Sequence, residues 1–227
     1  RPITSRCPLV TGSKVPGYRA TRSVIVVCRF LGRRSLAAVF VIDWYDRHPT
    51  LIRWCVSAAV SSLAIFFKPG AAQFCILSVF FFLSAARLGI RGVLLDWRTY
   101  VYPVVALLPA AIYAFLGPLR VSGGPLFNTF FMPHLALTLY FWKGWVFVLL
   151  RVFGAAALLL GIVGLFLLPR GRLSVVGLAL CVGYVAECFL RTYTTPSHDH
   201  WHLEAFPLAA LGIGAVGGLI WERLAER

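Results

Sequence analysis

Long, uninterrupted runs of apolar residues dominate the chain. Six of them cover residues 51–67, 71–86, 99–117, 145–168, 174–190 and 205–221. A helix rises about 1.5 Å per residue, so about 20 apolar residues cross the hydrocarbon core of a bilayer, and each run is close to that length. Strands of a membrane barrel would instead alternate in polarity, which these runs do not do. The sequence therefore predicts an all-α fold, a polytopic bundle of transmembrane helices.

A seventh, shorter apolar run covers residues 35–45. Extending it backwards to membrane length would bury Arg33 and Arg34, which insertion scales strongly disfavour. We therefore expect six spans, or seven if this run also crosses. Only 13% of the residues are charged, against about a quarter in soluble domains. One transmembrane domain over residues 35–227 is expected, with no water-soluble domain.

Residues 1–34 form a separate basic segment, which carries eight Lys and Arg residues and no acidic residue. Such a composition is typical of a targeting segment. The chain opens on Arg1 and its only methionine is Met132, so we expect a fragment of a longer protein, and whether residues 1–34 are native stays open. The net charge of +14 forms no basic stripe on a soluble fold, so no nucleic-acid partner is expected.

The basic residues predict the orientation of the spans, because short cytoplasmic loops are enriched in Lys and Arg. In a six-span topology, the N-terminal side of the first span, every second loop and the C-terminal end lie on the same side of the membrane. This side carries Arg47, Arg53, Arg87, Arg91, Arg98, Arg170, Arg172, Arg223 and Arg227. The opposite side carries only Lys68, Arg120, Lys143 and Arg191. The first side is predicted to be cytoplasmic. The turn at Lys68, the connection 118–144 and the stretch 191–204 are then extracytoplasmic.

Lys68 ends the run SSLAIFFKPG, where the following proline and glycine turn the chain back into the membrane. A lysine in this position is often an anchor whose amine reaches the interface. The alternative is a cation that holds the phosphate of an anionic lipid. Both interpretations stay open from the sequence.

The stretch RTYTTPSHDHWHLEAFP is the densest polar cluster in the chain. It contains His198, Asp199, His200, His202 and Glu204. Histidines at this spacing suit metal binding, but no recognised zinc motif such as H-E-x-x-H is present. We therefore favour a hydrogen-bonding surface for a polar substrate and assign no cofactor, with a divalent metal at this cluster as the alternative. An interfacial loop without a function is the other alternative.

Glu187 lies inside an apolar run, where an ionisable residue is a candidate functional group. Arg151, on the preceding span, is its predicted partner. The pair is either functional or a structural ion pair within the membrane.

Taken in order, five segments resemble the C-terminal half of bacterial membrane glycosyltransferases, relatives of protein O-mannosyltransferases and of the aminoarabinose transferase that modifies lipid A. They are SSLAIFFKPG, YPVVALLPAAIYAF, FWKGWVFVLLRVFGAAALLLGIVGLFLLPRGR, VGYV and SHDHWHLEAFPLAALGIG, within residues 45–221. The resemblance implies a GT-C fold in the bacterial inner membrane. It also implies an enzyme that moves a sugar from a polyprenyl-phosphate carrier to an extracytoplasmic acceptor.

In that family a lysine after an apolar run helps to hold the carrier phosphate, which corresponds to Lys68. The family's terminal loop typically reads T-H-D-Y-Y-H-L-P. Here His200 and Trp201 replace the two tyrosines, and Glu204 replaces the proline. The family's catalytic carboxylate lies in an N-terminal half that this chain lacks, so we assign no catalytic residue and expect the fragment to be inactive alone.

Two other functional classes remain from the sequence. One is a transporter or flippase for a lipid-linked or polar solute, with Arg151 and Glu187 lining its path. The other is a membrane subunit without a site of its own, whose protein partners the sequence does not identify.

Overall fold

The computed structural model describes residues 36–67, 73–116, 132–202 and 205–226, and within these ranges it contains helices joined by turns, without strands. The helices are α1 (36–47), α2 (Leu51–Phe67), α3 (Gln73–Leu95), α4 (Trp97–Leu116), α5 (Leu139–Phe153), α6 (Ala155–Phe166), α7 (Arg172–Leu190) and α8 (Ala205–Ala225). Two short 3-10 helices cover Pro133–Leu137 and Asp199–His202. The all-α prediction is confirmed. The basic segment 1–34 lies outside the described residues.

Of the described helices, three are long and apolar enough to cross a membrane: α3, α7 and α8. The pair α5 and α6 would add a fourth span if it crosses as one broken unit. α2 is apolar but has only 17 residues, and α4 carries prolines at positions 103 and 109. Three or four helices can therefore cross by this measure, and the larger number of six or seven spans stays a prediction.

The predicted span over residues 145–168 is broken within the apolar run. α5 ends at Phe153, α6 begins at Ala155, and the two helices are bent by 100° relative to each other. Gly154 between them has φ 75° and ψ 155°, a conformation that a residue without a Cβ adopts without strain. α3 extends beyond the predicted end at residue 86 and is kinked at Gly89 (φ 72°).

Close helix packing forms the centre of the bundle. α3 packs on α7, α6 on α8, and α2 on α4. A Cβ atom added at Gly183 would lie 2.5 Å from the Cα of Cys75, and one at Gly164 would lie 1.8 Å from the carbonyl oxygen of Gly212. Small residues of this kind let helix backbones approach within a membrane, where packing replaces the hydrophobic effect between helices.

Tyr102 joins three helices in the core. Its ring stacks on Phe80 with centroids 3.7 Å apart, and its hydroxyl lies 3.0 Å from the Ser57 hydroxyl and 2.7 Å from the Ser61 hydroxyl. A buried phenol needs such polar partners. Tyr102 therefore connects α4 to both α2 and α3. The two ends of α3 contact different parts of the chain.

Those contacts define the two ends of the bundle. At the end called here the His202 end, the start of α3 packs on the C-terminal part of α7, near α5 and the stretch 191–202. At the opposite end, called the Arg172 end, the later part of α3 meets α1 and the start of α7. Arg87 and Arg172, both predicted to be cytoplasmic, lie together at this second end.

Candidate functional site

A chain of hydrogen bonds crosses the His202 end. The Trp145 indole Nε1 donates to the Tyr184 hydroxyl at 3.0 Å, and that hydroxyl lies 2.5 Å from Nδ1 of His202. Nε2 of His202 lies 2.8 Å from the carbonyl oxygen of Thr195. His202 is fully buried, with 0% of its surface exposed. The chain therefore links α5, α7 and the stretch 191–202.

The chemistry of the partners indicates which atom donates in each of these hydrogen bonds. A carbonyl oxygen only accepts, so Nε2 of His202 carries a proton and donates it to Thr195. An indole N–H only donates, so the Tyr184 hydroxyl accepts from Trp145. The same hydroxyl can donate its own hydrogen to Nδ1 of His202. A neutral imidazole with its proton on Nε2 fits these three contacts.

The stretch 191–202 is folded back onto the helices by its own polar side chains. Thr195 Oγ1 donates to the carbonyl oxygen of Cys188 at 3.0 Å. Thr192 Oγ1 donates to the carbonyl oxygen of Met132 at 2.8 Å and accepts from its N–H at 3.0 Å. Pro196 lies so close to α5 that a Cβ atom at Gly144 would be 2.4 Å from its Cβ. This loop is consequently a packed part of the fold.

Two ion pairs replace the predicted pair of Arg151 and Glu187. Arg151 Nε lies 3.3 Å from an Asp199 carboxylate oxygen, with 65% and 43% of the two side chains exposed. Oε1 of Glu187 lies 2.9 Å from Nη2 of Arg191, and both side chains are largely buried. The helix α5 lies beside the 3-10 helix that carries Asp199, which brings Arg151 to this carboxylate. Arg191, four residues after Glu187, is its nearer cation.

Other predicted site residues have different positions. His198 is exposed, and its Nδ1 lies 2.8 Å from the Ser197 hydroxyl. Lys68 and Glu204 lie outside the described residues, as does the side chain of His200. The first turn of α3, five residues after Lys68, packs on Gly183 beside Tyr184. The described chain that follows Lys68 therefore starts at the His202 end.

No metal centre is found among the described residues, where no three His, Cys, Asp or Glu side chains are grouped closely enough to hold an ion. The exposed groups at the His202 end are instead hydrogen-bonding and aromatic. Arg151, His198 and Trp142 are all exposed there. Such a surface can bind an anion through the guanidinium and a sugar ring through the indole.

Sequence reasoning missed Trp145, Tyr184 and Thr195 as parts of this arrangement. Trp145 and Tyr184 contributed only to the resemblance, as members of the segments FWKGWVFVLLRVFGAAALLLGIVGLFLLPRGR and VGYV. A useful signal existed, because a tyrosine within an apolar run requires a polar partner once it is buried. The identity of that partner depends on how the helices are rotated, which the sequence does not give.

A second polar cluster lies at the Arg172 end. Asp46, which is 4% exposed, accepts from Arg87 Nε at 2.8 Å and from Arg172 Nη2 at 2.7 Å. Asp43 accepts from Arg172 Nε at 3.0 Å and from Arg47 Nε at 2.7 Å. From the sequence these arginines served only as markers of orientation. In the structure they join α1, α3 and α7.

Comparison with known proteins does not identify a family. No family model, curated protein or solved structure matches this chain. The function is therefore argued from the chemistry of the two polar ends and from the short segments that carry the resemblance.

Proposed function

We propose that this chain is part of an integral membrane glycosyltransferase, which takes a sugar from a polyprenyl-phosphate carrier and transfers it to an acceptor outside the cytoplasm. One observation carries the proposal. Three of the segments that resemble such enzymes, FWKGW, VGYV and SHDHWH, meet in the chain Trp145–Tyr184–His202. These residues are separated by 39 and 18 positions in sequence. Segments that act in one site are expected to converge in this way.

The surroundings of the hydrogen-bonded residues Trp145, Tyr184 and His202 suit a lipid-linked sugar. The carrier needs apolar surface for its prenyl tail, a cation for its phosphate and a polar or aromatic surface for its sugar. The bundle presents apolar side chains around the His202 end, such as Phe147, which is 64% exposed. Arg151 offers a guanidinium for the phosphate, and Trp142 an indole for the sugar. Lys68 is proposed as a second cation for the phosphate.

The reaction defines what these residues are proposed to do. An acceptor hydroxyl oxygen forms a bond to the anomeric carbon of the sugar, the bond from that carbon to the carrier phosphate breaks, and the phosphate leaves with the prenyl chain. A base removes the hydroxyl proton. We assign that base to no residue of this chain. Tyr184 and His202 are proposed as positioning residues that hold the loop carrying Asp199 against α5.

Binding of the carrier tests this proposal. Protein that contains this chain would be placed in lipid nanodiscs and titrated with radiolabelled polyprenyl phosphate, with polyprenol as the control ligand. We expect saturable binding of the phosphate form and weaker binding of the alcohol. Tyr184→Phe should weaken binding about tenfold, the equivalent of about 1.4 kcal/mol. The matched control Tyr193→Phe, at a position that is 45% exposed, should leave it unchanged. Equal binding of phosphate and alcohol would contradict the proposal.

A second candidate function is supported by the broken pair α5 and α6. Discontinuous helices of this kind surround the substrate sites of many transporters. A transporter or flippase would move a lipid-linked or polar solute across proteoliposomes without any acceptor. A transferase would consume the donor only when an acceptor is supplied. Solute flux without donor consumption would favour the transporter.

A further inference from the structure

A cavity at the Arg172 end is separate from the site proposed above. Its volume is about 340 Å³, and its lining includes Asp46, Leu83, Ala86, Arg87, Arg172 and Val175. Pockets for small ligands usually measure about 300–1,000 Å³. The cavity lies where α1, α3 and the first turn of α7 meet. Its walls combine charged groups with aliphatic side chains.

Asp46 accepts one hydrogen bond from each of the two arginines that line this cavity. Its buried carboxylate accepts from Nε of Arg87 and from Nη2 of Arg172. Arg172 is also held by Asp43, through Nε. A guanidinium carries five N–H donors, so these bonds leave several of them unused. Within the described residues, no hydrogen bond engages the terminal nitrogens of Arg87 or Nη1 of Arg172.

The charge of the cluster favours an anion. Three arginines, Arg47, Arg87 and Arg172, share two carboxylates, Asp43 and Asp46. One positive charge therefore remains. The side chains of Arg87 and Arg172 are 24% and 40% exposed, so an incoming group can reach them. Guanidinium groups with fixed orientation bind the oxygens of a phosphate more specifically than a lysine ammonium does.

The apolar part of the lining points to a ligand with a hydrocarbon portion. Leu83 and Val175 form part of the wall, and Ala86 and Ile90 on the same stretch of α3 are exposed. Ala86 is thus both part of the cavity wall and exposed on a helix that can cross a membrane. Basic pockets between membrane helices often hold the head groups of anionic lipids.

We propose that the cavity at the Arg172 end binds a phosphate group through the free N–H donors of Arg87 and Arg172. The phosphate belongs either to an anionic phospholipid of the adjacent leaflet or to a free phosphoryl compound. Asp46 and Asp43 orient the guanidinium groups but do not contact the ligand. The inference does not depend on the glycosyltransferase proposal, because it concerns the opposite end of the bundle.

Occlusion of the cavity is the clearest test. Ala86→Trp adds an indole at the cavity wall without removing any ion pair, and Ile90→Trp places the same side chain at a position that is 78% exposed and outside the lining. Delipidated protein in detergent would be titrated with phosphatidylglycerol, followed by native mass spectrometry. Inorganic phosphate, followed by calorimetry, is the second arm.

The two arms distinguish the sources of the phosphate. If the ligand is a lipid, Ala86→Trp weakens retention of phosphatidylglycerol about tenfold or more while Ile90→Trp does not, a change of about 1.4 kcal/mol. If the ligand is a free phosphoryl compound, inorganic phosphate shows the same pattern and the lipid does not. Wild-type binding of both probes by Ala86→Trp would overturn the proposal.

Arg87→Lys provides an independent variant. The lysine keeps a positive charge for Asp46 but cannot present two parallel N–H donors to a phosphate. We expect a melting temperature close to that of the wild type together with weaker binding of the active probe. Unchanged binding by a folded Arg87→Lys protein would also contradict the assignment.

Discussion

The two ends of this bundle are both polar, yet they are held together by different interactions. At the His202 end, neutral donors and acceptors form a chain from Trp145 through Tyr184 to a fully buried imidazole. At the Arg172 end, the buried carboxylate of Asp46 is shared by two arginines. Burial of neutral groups costs little once they are hydrogen-bonded, whereas burial of a charge requires a paired charge.

This difference separates two tasks. The hydrogen-bond chain holds the loop 191–202, while His198 within the loop and Arg151 on the adjacent α5 stay exposed. The ionic cluster of Asp46, Arg87 and Arg172 joins three helices. Both of these arginines also line a cavity. At the His202 end the buried ion pair, Glu187 with Arg191, joins residues four apart at the end of α7, whereas at the Arg172 end the buried carboxylate joins three helices. Variants at matched positions can test whether the distinction holds.

The largest loss of stability is expected from Asp46→Ala. It leaves Arg87 and Arg172 without their shared carboxylate, and breaking a buried ion pair by removing one partner costs about 3–5 kcal/mol. Because both arginines are partly exposed, we expect the lower end of that range. Unfolding in mixed micelles measures it. Glu226→Gln, which breaks the exposed pair with Arg223, is the control and should change stability by less than about 1 kcal/mol. Similar losses in the two variants would contradict the ionic core.

His202→Ala is expected to have the next largest effect. It leaves the Tyr184 hydroxyl and the Thr195 carbonyl without their partner, and each buried group of this kind costs about 1–3 kcal/mol. We expect a loss near the lower end of the summed cost, about 2–3 kcal/mol, measured by the same unfolding assay. His198→Ala, in the same loop but exposed, should change stability by less than about 0.5 kcal/mol. If the two variants are equally stable, His202 does not hold the loop.

A double-mutant cycle sharpens the description of the neutral chain. Tyr184→Phe alone should cost about 1–2 kcal/mol, since it removes one buried hydroxyl. In combination with Trp145→Phe the loss should be smaller than the sum of the single losses by about 0.5–1 kcal/mol, because the two residues share a hydrogen bond. Strict additivity would show that the bond contributes nothing to stability.

Arg151→Gln should have the smallest effect on stability. Its pair with Asp199 is exposed, and such pairs contribute about 0–1 kcal/mol. Binding of polyprenyl phosphate, in contrast, should weaken, because the exposed guanidinium is proposed to contact the carrier phosphate. Lys143→Gln, also exposed on α5, is the matched control for the loss of a charge. Equal binding by wild type and Arg151→Gln would remove Arg151 from the site.

The sequence predicted the helices well because apolar runs determine which segments are helical in a membrane. The run 51–67 coincides with α2, and the run 174–190 ends where α7 ends. The break at Gly154 was not predicted, since a glycine in an apolar run either packs closely, as Gly164 does, or adopts a positive φ, as Gly154 does. Local sequence does not separate these outcomes.

The candidate site was predicted only in part. The polar loop near His202 was recognised from its composition, and the sorting of arginines placed Arg87 and Arg172 on one side. The sequence paired Arg151 with Glu187, whereas in the structure each contacts another residue. No partner was predicted for His202. Pairing depends on the rotation of each helix and on the direction of α5, which are set by tertiary packing and are not encoded by spacing along the chain.

Photo-crosslinking of the sugar carrier tests the central claim most directly. Protein that contains this chain would be incubated with a diazirine-bearing polyprenyl-phosphate sugar, in the presence of excess phosphatidylglycerol to occupy the cavity at the Arg172 end, and the labelled peptides identified by mass spectrometry. We expect saturable labelling of α5 and of the stretch 191–202, reduced in Tyr184→Phe. Labelling confined to α1 and the Arg87 region of α3, or no saturable labelling, would contradict it.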